Sequence, residues 1–462
     1  MRRRRRTGKS YFIVRHVITQ HISKGFSMFL YDFKYDDLSI IAYNSFLKYK
    51  NRYKKEPKFY VIDFDHIYHR CNPLYPESMN DITDATESSR TIMLGLNREW
   101  IKKAGDFFVE SPINFVTGII WYLRKYKDGK YCTLPHVIEL MQMPYDNLFP
   151  VLRTEPEIEV LINPFVTAYV NGAMEQLEGQ IASAKITMAR LASPMLYYVL
   201  TGNDFTLDIN NPEDPKLVCM GNNPQKTQVY GAVISLYVSR MLKLVNQKGK
   251  LKSSLIFDEF PTIYIGGGGA GSGIQGTIAT ARGNKVATVL AVQDISQLRN
   301  DYGKEVADVI FNIVGNIISG QVVGDTAKTL SERFGRIMQE RESLSINASD
   351  TSLSKSTQLE SAVPASTISN LSSGEFVGAV ADNPDQKIPQ KIFHNEIIND
   401  HEALAAEEKA YIPIPKPRMV TATEIEDNYR RIKDEVMAIV DEEMERIYND
   451  PELAHLLVTR EE

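Results

Sequence analysis

Six short apolar runs, each closing on an acid or a turn residue, constrain this chain more than anything else in it. They are MFLYD ending at Asp32, FYVID at Asp63, LVCMG at Gly221, SSLIFDE at Glu259, VATVLAVQD at Asp294 and NIISGQVVG at Gly324. A strand buried on one face alternates apolar and polar residues, whereas a strand buried on both faces reads as a continuous apolar run. Helical spacing separates these runs. The pattern therefore predicts an α/β fold with a mostly parallel sheet covered on both faces.

Between about residues 75 and 200 the strand pattern stops. DFFVESPINFVTGIIWYLRKY, LPHVIELMQM and INPFVTAYVNGAMEQLEGQIASAKITMARLASPMLYYVL all carry helical spacing, which predicts an all-α insertion. Further on, Ser343 to Ser373 holds 11 serines in 31 residues and reads as an exposed loop. Near the end, Ile425, Tyr429, Ile432, Val436, Ile439 and Ile447 form one apolar stripe on a charged helix, which needs a partner surface within this chain or outside it.

Composition narrows the class. The 462 residues are 43% hydrophobic and 24% charged, ordinary globular material for about two or three domains. Cys71, Cys132 and Cys219 lie far apart and form no CxxC pair, which favours a reducing compartment. The best candidate for a membrane span, Ile113 to Leu123, stops at Arg124-Lys125, short of the ~18 apolar residues a crossing needs. The arginines Arg2 to Arg6 are followed by polar Thr-Gly-Lys-Ser, so no secretory signal is expected and this chain alone is expected to be soluble. Charge is uneven: residues 1–60 hold 15 Lys/Arg against 4 Asp/Glu, and residues 401–462 hold 16 Asp/Glu against 8 Lys/Arg. A basic end suits nucleic acid or acidic lipid, or is simply solvated; an acidic end suits a protein partner.

Two segments point to phosphate chemistry. Gly8-Lys9-Ser10 opens a helix, like the end of the loop G-x-x-x-x-G-K-[ST], but Arg3 stands where its first glycine belongs. In SSLIFDEFP, a buried strand delivers Asp258 and Glu259 at its carboxyl end, where open α/β sheets place ligands. In a phosphate-loop ATPase the first acid would hold the Mg²⁺ shell and the second would orient or deprotonate the attacking water. The plainer alternative is a strand-ending acid pair that caps a turn. Gln293, at the end of the next predicted strand, would sense a γ-phosphate, and Arg282, on the loop before it, would reach a neighbouring subunit's nucleotide; surface hydrogen bonding is the alternative for both. Asp63, Asp65, His66 and His69 are metal-ligand types within seven positions, but no second cluster completes a shell.

GKSYF, the strand to Asp32 followed by Lys34, RCNPL, IFDEFPTIY, TIATARGNKVATVLAVQDISQLRNDYG and SGQVVGDTAKTLSERFG occur in that order. The succession resembles the type IV secretion coupling proteins, conjugative-transfer ATPases of the TraG/TraD kind in their Bacteroides-type form, over roughly residues 8 to 395. The resemblance implies a RecA-like P-loop NTPase with an inserted all-α domain. On it, the nucleotide-binding domain would occupy 1–74 and 201–400, the insertion 75–200, and an acidic tail with an amphipathic helix 401–462. It also implies a membrane-anchored homo-hexamer on the cytoplasmic face of the inner membrane. Such a motor receives a relaxase bound to single-stranded DNA and drives it into a type IV secretion channel with ATP and Mg²⁺. Carried onto this sequence, Gly8 and Lys9 would contact phosphate, Ser10 and Asp258 would hold Mg²⁺, Glu259 would be the base, Gln293 would couple to the γ-phosphate and Arg282 would act in trans.

The sequence departs from the family in two places. It starts inside the phosphate loop, so a central strand and the membrane anchor are expected to be missing. IGGGGAGSGIQG, Ile265 to Gly276, interrupts the path from the acid strand to the next helix and reads as a flexible tether rather than a second nucleotide site. A related double-stranded DNA pump, or a catalytically impaired fragment serving docking or oligomerisation, are the alternatives.

Overall fold

A computed structural model describes residues 8–266, 273–347, 350–382 and 387–458. The arginine run Arg2–Arg6 and most of the glycine-rich string lie outside the described residues. The chain divides into two compact units, one of residues 18–291, 301–303 and 412 onward, the other of residues up to 17, 292–300 and 304–411.

The larger unit is built on five parallel strands: β1 (Ser27–Asp32), β2 (Lys58–Ile62), β3 (Lys216–Gly221), β4 (Ser253–Phe257) and β5 (Val286–Leu290), in the order β2-β3-β1-β4-β5. β1, β3 and β4 are buried along their whole length, as their unbroken apolar runs predict. β2 starts exposed and β5 is only half covered, which fits their places at the two edges. The register pairs Asp32 with Gly221 and Tyr31 with Phe257, so the strand ends line up along one carboxyl edge.

Every regular element from Ile82 to Leu200 is helical, so the insertion enters after β2 and returns before β3. The helix Phe107–Lys125 contains the apolar run once compared with a membrane span; Ile113, Phe115, Val116, Ile119, Ile120 and Leu123 are all buried inside this unit. No helix among the described residues is long and apolar enough to cross a membrane. The three cysteines are free and buried.

The C-terminal helix Ala422–Asn449 starts at a capping box made by Thr421 and Glu424. Its stripe finds a partner within the chain. Ile432, Val436, Ile439, Val440 and Ile447 are buried where it packs on the helices Leu134–Leu140, Tyr145–Arg153 and Pro194–Leu200. Part of the acidic face is used there too, with Glu435 on His136 at 3.0 Å and Glu442 on Lys127 at 2.6 Å.

The smaller unit departs from the sequence reading. The run ending at Gly324 supplies only a three-residue strand, β6 (Ile317–Ser319), outside the parallel sheet. The serine-rich segment is no loop for much of its length: β7 (Arg336–Asn347) and β8 (Asp350–Ser361) form an antiparallel ribbon. β9 (Glu375–Ala379) pairs antiparallel with both β6 and β10 (Ile392–Glu396). Ile295, Leu330, Phe334, Ile368, Leu371 and Val377 form this unit's core.

Candidate nucleotide site

β4 lies between two parallel neighbours and has no polar residue after Ser254, so it runs through the core and releases its acids only at the carboxyl edge. Asp258 N–H still donates to Tyr31 O at 3.1 Å, which fixes Asp258 against the end of β1. Asp258 and Glu259 are both buried. Glu259 has φ 54° and ψ 54°, the left-handed region, where a residue with a Cβ is strained.

A polarised chain of hydrogen bonds holds that conformation. Asn222 Nδ2 donates to Tyr31 Oη at 2.7 Å, Tyr31 Oη donates to Thr262 Oγ1 at 2.7 Å, and Thr262 Oγ1 donates to Glu259 O at 2.6 Å. Burial raises the Tyr31 hydroxyl far above its ordinary range, so it stays a neutral donor. Gly231, on the helix Thr227–Val245, makes room for the turn: a Cβ there would stand 2.6 Å from Thr262 O. Gly231→Ala is expected to cost about 1–3 kcal/mol by overpacking. Chemical denaturation checks this, and an unchanged midpoint would show that helix and turn separate freely.

Asp32 is the site residue that sequence reasoning passed over. It ends β1 as Asp258 ends β4, and that shared position was the available signal. Its Oδ2 accepts from Leu38 N at 2.9 Å, Ser39 N at 2.8 Å and Ser39 Oγ at 2.8 Å. Its Oδ1 is buried, with no hydrogen-bond partner among the described residues. Burial pushes the carboxyl up to about 7 against the Ser39 and Leu38 bonds, and the charge of Asp258 adds to the rise.

The Asp63 cluster is structural. Asp63 caps the backbone of Asp65 and His66, Asp65 pairs with Lys226 at 2.6 Å, and His69 Nδ1 accepts from Val61 N at 3.1 Å. No group of three or more His, Cys, Asp or Glu among the described residues is arranged to hold a metal ion.

Arg282 sits exposed in a single turn after the helix Gly273–Ala281. It precedes β5, and Ser253 N donates to Lys285 O, so it stands at the amino edge of the sheet. Five strand residues at about 3.3 Å each separate that edge from the carboxylates, roughly 16 Å. Within one chain the sheet keeps Arg282 away from Asp258 and Glu259.

Gly8, Lys9, Ser10 and Gln293 belong to the smaller unit. Gly8 has φ 101° and its carbonyl accepts from Phe12 N at 3.1 Å, which opens the helix. Ser10–Val14 is wound as a π-helix before Arg15–Ser23 continues in α form; such turns often mark functional sites. Late chain segments anchor this helix: Phe12 packs on Phe376, Tyr11 Oη meets His401 Nδ1 at 2.8 Å, and buried Arg15 pairs with Glu408 at 2.9 Å. Nothing in the local sequence signals those partners. Gln293 is exposed three residues after β5 ends, not at the strand terminus, and the next residue, Asp294, accepts from Thr326 Oγ1 at 2.8 Å.

The model of the family "Type IV secretory system Conjugative DNA transfer" matches residues 12–365. No curated protein matches the sequence. Among solved structures, the bacterial conjugative coupling protein TrwBdeltaN70 in its unbound monoclinic form aligns at TM-score 0.64 and 15% identity, over 86% of this chain and 83% of that one. The plasmid coupling protein TrwB in complex with ADP and Mg²⁺ aligns at TM-score 0.60 and 14% identity, over 89% and 85%. TrwB with the non-hydrolysable ATP analogue ADPNP aligns at 0.58 and 13%, over 89% and 84%. At these identities the likeness establishes the fold alone, an α/β architecture on a five-stranded parallel sheet.

Proposed function

The chain belongs to the type IV secretory system conjugative DNA transfer family, and on that premise we propose that it is a coupling ATPase that delivers a relaxase with its single-stranded DNA to the secretion channel. The observation that carries this reading is the pair Asp258-Glu259, buried at the carboxyl edge with Glu259 held left-handed by Thr262 and Tyr31. Strain retained at a buried acid is a recurrent mark of a working site.

The residues fit a nucleotide bound with Mg²⁺, the pair of ligands in the TrwB complex with ADP and Mg²⁺. Asp32 Oδ1 is a buried carboxylate oxygen with room in its hydrogen bonding, beside Asp258, the donor type a hydrated magnesium ion takes. Ser10 and Asp258 would hold the ion, and Gly8 N–H and the Lys9 ammonium would bind phosphate oxygens. Bound Mg²⁺ supplies neutralisation of charge on the transferring phosphoryl group. Glu259 accepts the proton of the attacking water at its carboxylate, and its fixed backbone sets the direction of approach. Gln293 positions that water or the γ-phosphate. Arg282, turned from its own carboxylates by the sheet, would serve a neighbour's nucleotide in a homo-hexamer, stabilising charge in the transition state. Attachment to the cytoplasmic face of the inner membrane belongs to the same proposal.

Phosphate release from ATP, measured with and without a single-stranded oligonucleotide, tests this reading. Turnover that rises with single-stranded and not with duplex DNA is expected. A chain with no turnover under either condition contradicts the ATPase assignment, and stimulation by duplex alone points to a double-strand pump.

A further inference from the structure

Between the helices Ile82–Leu96 and Phe107–Lys125 the chain makes an exposed tip, residues 102–108, reading KKAGDFF. Phe107 is 55% and Phe108 62% exposed, and their rings stand edge to face with centroids 5.5 Å apart. Two adjacent aromatic rings left in solvent at a helix start are costly to keep unless something covers them.

Local hydrogen bonds and one ion pair shape the tip. Asp106 accepts from Phe108 N at 2.8 Å, and Glu110 accepts from Gly105 N at 3.2 Å while forming a two-point ion pair with Arg90. Gly105 has φ 86°, a turn that favours glycine. Lys102 and Lys103 are exposed, with no ion pair to a described carboxylate, and Glu99 is a further acid in the same stretch of sequence. Flat apolar rings beside exposed ammonium groups match a chain of bases strung on phosphates.

The base of the tip is bonded to the turn that follows the carboxylates. Arg98 donates from Nη2 to Thr262 O at 3.1 Å and lies over the Tyr264 ring at 5.5 Å. The Thr262 hydroxyl is the group bonded to Glu259 O. We propose that residues 102–108 form a single-stranded DNA contact, with bases stacking on Phe107 and Phe108 and phosphates on Lys102 and Lys103, and with Arg98 linking that contact to the turn that shapes Glu259. The proposal rests on the DNA-transfer reading above and assigns it a place.

The test compares fluorescence anisotropy of two labelled 20-mers, oligo-dT and an abasic strand with the same phosphates but no bases, using the whole chain. The wild type is expected to prefer oligo-dT, and Phe107→Ala/Phe108→Ala to lose about 10-fold or more of that affinity while its abasic affinity and melting temperature stay unchanged. Lys102→Ala/Lys103→Ala should instead weaken both strands and lower the salt slope by about one to two. In Phe107→Trp, oligo-dT should quench indole emission beyond any change it causes in the wild type, which already carries Trp100 and Trp121. Wild-type binding to oligo-dT that the double alanine variant retains in full, with no added quenching in Phe107→Trp, overturns the proposal and leaves the DNA-transfer reading standing. A wild type that binds neither strand overturns both.

Discussion

Glu259→Gln is expected to lower ATP turnover by about two to four orders of magnitude, the range for losing a positioned general base, while nucleotide affinity stays within a few-fold of wild type. The amide keeps the shape and can still hydrogen-bond to water, but it cannot take the proton. The backbone adds a second arm. Because Glu259 sits at φ 54°, Glu259→Gly should lose turnover in the same way and yet be about 1 kcal/mol more stable than Glu259→Ala, which lacks the same side chain but keeps the left-handed strain. Turnover by phosphate release and midpoints in urea read the two effects separately. Turnover in Glu259→Gln at the wild-type level would remove Glu259 from the chemistry. A glycine variant no more stable than Glu259→Ala would show that the turn is not strained.

Those contrasting arms also show what was legible in the sequence. Asp258 and Glu259 stood out because two acids followed a run of buried residues, and the strand they close was placed correctly. The left-handed turn at Glu259 was not legible, because Thr262, three residues on, is held in its place by Tyr31 and Asn222 from two distant segments. Asp32 carried the same strand-end signature as Asp258 but lacked a second acid to draw notice. The five parallel strands followed from continuous apolar runs, yet the run around Ile317 had the same look and joined an antiparallel sheet. Run length reports burial and says nothing of partner or direction. The ribbon β7-β8 was read as a loop because its serines give no apolar alternation; its ladder is backbone hydrogen bonding, which polar residues supply equally well. The C-terminal stripe was legible as a helix face, but its seat on the inserted helices depends on contacts almost 300 residues apart.

The attachment of the insertion to the sheet domain makes the largest stability prediction. Arg240, on the helix after β3, is almost fully buried and places Nη1 3.1 Å from Asp84 Oδ1, on the first helix of the insertion; Lys243 Nζ reaches the same oxygen at 2.8 Å. Burial alone would raise the Asp84 carboxyl. The Lys243 bond, the Asn80 N–H and the charges of Arg240 and Lys243 outweigh burial and hold it down at about 2. Asp84→Asn keeps the size and strands a buried guanidinium without its counter-charge, so a loss of about 3 kcal/mol is expected at pH 7. The sign with pH follows from the depressed value. The pair's contribution is fully present above the unfolded carboxyl range near ~4 and is lost as pH falls through about 2. Wild type and Asp84→Asn should therefore converge in stability between about pH 4 and pH 2, however much other acids titrate in both. Adding Arg240→Met to Asp84→Asn should recover part of the loss, because the stranded charge goes with it. Denaturation midpoints across that range decide the matter: a gap between the two proteins that stays constant down to pH 2 would mean that the carboxylate charge is not what joins the insertion to the sheet.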